Sequence, residues 1–126
     1  MTIVLDASAL LAYLKDEPGV DSVRNLLPES VISTVNWAEV VQKAIVLEVD
    51  VDGMLEELQE LGLQIKPFTI EDSEKTARLW AQTKKYGLSL GDRACLSLGS
   101  RLDARVLTSD RAWVSIELAV DIQLIR

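Results

Sequence analysis

Four acidic residues stand where this chain could do chemistry. Asp6 closes the apolar run Ile3-Val4-Leu5, Glu39 lies in Ser33-Thr34-Val35-Asn36-Trp37-Ala38-Glu39, Asp92 ends Ser89-Leu90-Gly91-Asp92, and Asp110 ends Thr108-Ser109-Asp110. The chain has no histidine and one cysteine, Cys95. The lack of histidine removes Ser-His-Asp and Cys-His catalysis and zinc held by imidazole. Cys95 has no base to activate it and no intrachain partner for a disulfide, and among Ala94, Leu96 and Leu98 it reads as a packing residue. Polar chemistry falls to carboxylates, Lys, Arg, Tyr, hydroxyls or a metal held by oxygen. Oxygen ligands favour a hard cation, Mg²⁺ or Mn²⁺.

The elements that must position these acids follow from apolar spacing and turn residues. Short strands are predicted at Ile3–Leu5, Val31-Ile32, Leu63–Phe68, Arg105–Leu107 and Asp121–Ile125. Helices are predicted over Ala7–Lys15, from Val20 to a stop at Pro28, from Thr34 to Leu47, over Met54–Leu61 with Gly62 as C-cap, over Glu71–Lys85, and over Ser89–Arg101, with a last short helix after Asp110. In the helix over Glu71–Lys85, Ala77, Trp80 and Ala81 form the inner stripe, and Glu71/Lys75 and Glu74/Arg78 are spaced as i,i+4 pairs. Strands alternate with helices throughout. The fold class is therefore α/β, a three-layer α/β/α domain with a mostly parallel sheet, and its 126 residues suit a single domain over 1–126.

In an open sheet of this kind, ligands bind outside the carboxyl ends of the strands. Asp6 and Asp110 directly follow strands, and Glu39 lies about one turn into the helix after the second strand. Asp92 begins a crossover helix, whose start lies at the same edge. Each acid also has a purely local reading. Asp6 and Asp110 can cap the helices after them, Ser89 and Asp92 have capping-box spacing, and Glu39 can pair with Lys43. Four like charges at one edge are costly without protons or cations, and a divalent metal neutralises them.

At these residues the sequence resembles the PIN-domain family, and more narrowly a VapC-type toxin. Val4-Leu5-Asp6-Ala7-Ser8-Ala9-Leu10-Leu11 resembles the family's opening motif, and Ser33 to Val40 its second. Gly87-Leu88-Ser89-Leu90-Gly91-Asp92-Arg93-Ala94-Cys95-Leu96 resembles the third, and Leu107-Thr108-Ser109-Asp110-Arg111-Ala112-Trp113 the fourth. The resemblance implies strand order 3-2-1-4-5, and RNA cleavage dependent on Mg²⁺ or Mn²⁺. It implies a VapB-type antitoxin that blocks the site, a homodimer and a larger toxin–antitoxin assembly. Carried over by motif, Asp6, Asp92 and Asp110 would hold the metal and Glu39 would complete the pocket. Ser8, Thr108 and Ser109 would orient a carboxylate or touch phosphate. Arg93 and Arg111 would hold the RNA backbone or balance the acids.

A net charge of −7 argues against a general nucleic-acid coating protein but not against a nuclease with metal in an acidic pocket, and it favours a basic partner. The N-terminus lacks signal-peptide features and no stretch is long and apolar enough for a membrane span, so the expected location is the cytoplasm. Trp37 and Trp80 read as core, and Trp113 as a candidate flank of the substrate. Leu10, Leu11, Leu14, Val40, Val41 and Ile45 exceed what small helices hide, which suggests cover by antitoxin or a second subunit. An aspartyl phosphatase would show a second acid where Ser8 stands and another at Leu96, and a receiver domain would show an N-terminal acidic pair. The rival of another class is a PIN-fold module that binds RNA or protein without cutting.

Overall fold

The computed structural model describes residues 1–126. Its sheet is built from β1 (Ile3–Leu5), β2 (Ser30–Ser33), β3 (Gln64–Lys66), β4 (Arg105–Thr108) and β5 (Ile122–Leu124). All pairings are parallel and the order is β3-β2-β1-β4-β5, as the resemblance implied. β1 is the centre: Val4 lies opposite Val31 on one side and Val106 on the other.

Strand alternation splits the interior into two cores. Ile3, Leu5, Ile32 and Leu107 face one cluster, which also holds Ala9, Leu10 and Ala12 of α1 (Ala7–Leu14), Val23 of α2 (Val20–Leu26), Val40 of α3 (Thr34–Val46) and Leu58 of α4 (Met54–Glu60). Val4, Val31 and Val106 face the other, against Cys95, Leu96 and Leu98 of α7 (Leu90–Leu102) and Trp113. The three layers follow from this period of two. Gly62 follows α4 at φ +106°, and a Cβ there would lie 2.5 Å from the Pro28 Cα, so the position needs glycine.

Three expectations are corrected. The helix over Glu71–Lys85 is broken at Leu79 into α5 (Ile70–Arg78), α6 (Trp80–Thr83) and a 3-10 turn (Lys84–Tyr86). Its inward residues are Asp72, Thr76 and Thr83, while Ala77, Trp80 and Ala81 are exposed. The reason lies on α7. Arg101 donates to both Asp72 oxygens (2.8 and 3.1 Å), Ser97 Oγ to the Asp72 carbonyl, and Arg93 Nη1 to the Thr76 carbonyl. These bonds satisfy the Asp72 carboxylate and two α5 carbonyls, Thr83 Oγ1 donates to the Leu79 carbonyl at 2.8 Å, and the buried Thr76 hydroxyl has no partner. Lys75 donates to Ser100 Oγ and forms no ion pair with Glu71, nor Arg78 with Glu74.

The tryptophans are also rearranged. Trp80 is 54% exposed, Trp113 is fully buried, and Trp37 packs half-buried against the first core. Trp113 therefore fills the core and flanks no substrate. The suspected apolar surface is smaller than expected, because Leu10 and Val40 are fully buried and Leu11 and Val41 half-buried. Exposure is real at Leu14 (37%) and Ile45 (58%), and continues into Val46 and Leu47. No helix is long and apolar enough to cross a membrane.

Asp72 joins a capping box with Thr69 to a buried pair with Arg101. Asp72→Ala should destabilise the protein by about 3 kcal/mol, since it removes a cap and strands a partly buried cation. Urea unfolding would measure this, and a loss under about 0.5 kcal/mol would show that the α5–α7 seam is not held by this pair.

Candidate active site

Asp6 follows the central strand and is 4% exposed. It caps α1, with Ala9 N donating to Oδ1 at 2.8 Å. Ser8 Oγ donates to Oδ1 and Oδ2 at 2.7 and 2.9 Å, and Thr108 Oγ1 donates to Oδ2 at 2.7 Å. The two hydroxyls also accept backbone N–H groups, Ser8 from Ser109 and Thr108 from Asp110, each at 3.0 Å. The end of β4 is thus tied to the end of β1 through one carboxylate. Burial pushes the Asp6 carboxyl up to about 6 despite the bonds from Ser8, Thr108 and Ala9, and the Asp92 charge pushes the same way.

Glu39 sits at the exposed rim. Its carboxyl is raised first by burial of its inner side and then by the Asp92 charge, against a hydrogen bond from Asn36. Asn36 Nδ2 donates to Glu39 Oε1 at 2.8 Å and to the Gly91 carbonyl at 2.9 Å, which joins α3 to the start of α7. A Cβ on Gly91 would come within 2.5 Å of Glu39 Oε1, so glycine leaves the space that Glu39 occupies. Asn36 is buried, and its Oδ1 has no partner. The sequence reading missed both Asn36 and Gly91 as positioning residues. The available signal was an amide one helical turn before Glu39, on the same face.

Asp92 forms the capping box with Ser89, its Oδ2 accepting from Ser89 N at 3.0 Å. Cys95 is fully buried behind this group, and its thiol is raised far above the ordinary value by burial, then by the charges of Asp6, Asp92 and Glu39. Those three acids therefore share one electrostatic neighbourhood. Asp110 contributes to none of these shifts. It is exposed, and its Oδ1 accepts from Ala112 N at 3.0 Å to cap the 3-10 turn Arg111–Ser115.

The capping readings of Asp6, Asp92 and Asp110 all hold. The pairing of Glu39 with Lys43 does not. No Lys or Arg forms an ion pair with any of the four acids. Arg93 is held to Thr76, and Arg111 is exposed. The donor set, all oxygen and uncompensated by cations, fits a hard divalent ion in its chemistry. The side chains are not drawn into a finished shell, for no three acids converge as a ready ligand group. A shallow concavity of about 290 Å³, lined by Glu39, Gln42, Lys43 and Val46, opens beside Glu39.

The PIN-domain family model matches residues 3–117. The chain belongs to the PIN-domain family. Among solved structures, this PIN domain is similar to a chain of a toxin–antitoxin complex from Klebsiella pneumoniae, at 17% identity over 96% of this chain and 100% of that one, with a TM-score of 0.73. It is similar to VapBC-1 from nontypeable Haemophilus influenzae at 17% identity, 99% and 98% coverage and a TM-score of 0.73. FitAcB from Neisseria gonorrhoeae matches at 20% identity, 96% coverage of each chain and a TM-score of 0.69. At these identities the likeness is one of fold. A search of curated protein sequences finds no match.

The Asp6 shift gives the PIN domain a specific pH dependence. Above pH 6 the carboxyl is ionised in folded and unfolded chains alike, and its burial lowers stability. Between about 4 and 6 the folded state holds the proton that the unfolded state releases, so stability rises as pH falls through this window. Below about 4 both states are protonated and the gain is complete. From 3.8 to about 6, the effect is on the order of 3 kcal/mol. Asp6→Asn keeps a capping residue without the charge. In EDTA it should be the more stable protein at pH 7.5 by on the order of 1–3 kcal/mol, with the difference gone below about pH 4. Urea unfolding across pH would measure it, and a difference that does not change with pH would refute the assignment to Asp6.

Proposed function

We propose that this PIN domain is a ribonuclease dependent on Mg²⁺ or Mn²⁺, acting as the toxin of a VapBC-type toxin–antitoxin pair. The observation that carries the reading is the buried Asp6 carboxylate, braced by Ser8 and Thr108, with the Asp92 charge bearing on both Asp6 and Glu39 while no basic side chain pairs with the three. Asp6, Asp92 and Asp110 would hold the ion, with Glu39 completing the pocket. Such an ion, when bound, makes water a better nucleophile near neutral pH and offsets charge on the phosphate.

The chain's own residues have separable tasks. Ser8 and Thr108 use their hydroxyl protons on Asp6, so they act by orienting that carboxylate. Asn36 fixes the Glu39 carboxylate against α7. Arg93 docks α7 on α5, and Arg111 is the cation of the pair that is free to meet the RNA backbone. Similarity over whole chains to members of toxin–antitoxin complexes supports a VapB-type antitoxin as partner. The exposed Ile45, Val46 and Leu47 at the end of α3 offer cover to that partner or to a second copy in a homodimer and larger assembly. The proposed location is the cytoplasm.

The non-catalytic module draws on one observation: Asp92 and Asp110 are both engaged in capping, and no three acids converge. Cleavage of total cellular RNA by antitoxin-free protein separates the readings. Discrete fragments should form with Mg²⁺ or Mn²⁺ and not with EDTA, and Asp6→Asn should lose activity by about 100-fold or more while staying folded. A folded protein that binds Mn²⁺ and leaves the RNA intact would favour the binding module.

A further inference from the structure

Leu79, Thr83 and Tyr86 turn inward around α6, and Trp80, Lys84 and Lys85 are left on the surface. Trp80 is 54% exposed, in contrast to the buried Trp113. Lys84 Nζ lies 5.0 Å from the centroid of the Trp80 ring, and Lys85 Nζ lies 5.2 Å from that of Tyr86. In a chain of net charge −7, the segment from Thr76 to Gly91 has cations at Arg78, Lys84 and Lys85 and no acid. Arg78 shares a concavity with Glu71 and Glu74, so the uncompensated basic face is the one carrying Lys84 and Lys85.

This face is fastened to the acidic edge at two points. Tyr86 Oη donates to the Ser115 carbonyl at 3.1 Å, at the end of the turn that Asp110 caps. After Gly87 the chain enters the Ser89–Asp92 capping box. The basic segment is thereby continuous with the helix that carries Asp92 and bonded to the turn that Asp110 caps.

We infer that Trp80, Lys84 and Lys85 form a docking surface for single-stranded RNA. This rests on the ribonuclease reading above for its substrate, and on charge and aromatic exposure for its place. With Lys84 over one face of the indole, the other face can stack on an unpaired base, whose own face a duplex hides. Ammonium groups held over aromatic rings are placed to take the flanking phosphates. An acidic protein segment would meet the same lysines but would leave the ring face unused.

The test uses the full chain and a short uridine-rich RNA in EDTA, where binding is read without cleavage. Trp80 emission should be quenched by the RNA. Trp80→Ala should weaken binding roughly 5- to 100-fold, as expected for loss of one stacked base. Lys84→Ala with Lys85→Ala should weaken it and lower the salt slope of log K by roughly 1.4, about 0.7 for each phosphate contact to a single strand. Lys15→Ala with Arg24→Ala changes net charge equally at a remote surface, and should leave both readings near wild type. Circular dichroism checks that each variant is folded. Unchanged affinity and slope in the Lys84/Lys85 variant would overturn the proposal. So would Trp80 emission that responds to polyglutamate or to protein concentration and not to RNA. If the wild type cleaves RNA and the variants keep its KM, the surface fails while the nuclease stands. If no RNA is cleaved but the variants lose RNA binding, the surface stands and the nuclease reading fails.

Discussion

The constraint on which the structure depends is the burial of one carboxylate at the end of the central strand. β1 has a neighbour on each side and a helical layer on each face, so the residue that follows it emerges deep in the molecule. Asp6 tolerates that position because the start of α1 supplies an N–H, and Ser8 and Thr108 supply hydroxyls. Helix starts favour negative charge, and hydrogen bonds to an ionised carboxylate are the strong ones. They do not offset desolvation fully, which is why the carboxyl stays raised at about 6. The residual cost is local, and a bound cation would relieve it.

α7 supplies the second half of the geometry. Its first turn is fixed by Ser89 and Asp92, by Asn36 on the Gly91 carbonyl, and by Arg93 on the Thr76 carbonyl. Its last turn is fixed by Arg101 on Asp72. A helix held at both ends by polar bonds has little freedom to slide on the sheet, and Cys95, Leu96 and Leu98 on its inner face set its height above Val4 and Val106. The influence of the Asp92 charge on both Asp6 and Glu39 is a consequence of that docking.

The sheet and the acidic edge were legible from the sequence because they rest on short-range rules. An apolar run ending in Asp marks a strand end, and strands alternating with helices force a parallel order that brings such ends together. The phase of α5 was not legible. Its buried residues are Asp72 and Thr76, and the groups that hold this face against α7 lie more than fifteen residues later, at Arg93, Ser97 and Arg101. Reading apolar residues as inward therefore put the exposed Trp80 in the core. Trp113 shows the converse error: it follows the turn after β4 and looks available to a ligand, yet the concave side of that turn is the second core. Asn36 escaped notice because an amide inside a helix has no pattern of its own until its partners, Glu39 and Gly91, are seen in space.

Charge is distributed unevenly along this chain. An acidic protein repels a polyanion at long range, but the Debye length at physiological salt is about 8 Å, so a local basic face decides the encounter once the surfaces are near. The excess of acids is spread over exposed helix positions such as Glu56, Glu57 and Glu60 on α4, on the far side of the sheet from α7. The stretch from Thr76 to Gly91 is free of them, and it joins α5 to the helix that carries Asp92. A strand of RNA held by Lys84 and Lys85 would meet carboxylates next, and those carboxylates repel phosphate unless a divalent ion sits between. On the proposed function, the acidic edge and the basic face would make opposite demands on the same ligand, and a cation at the edge would reconcile them.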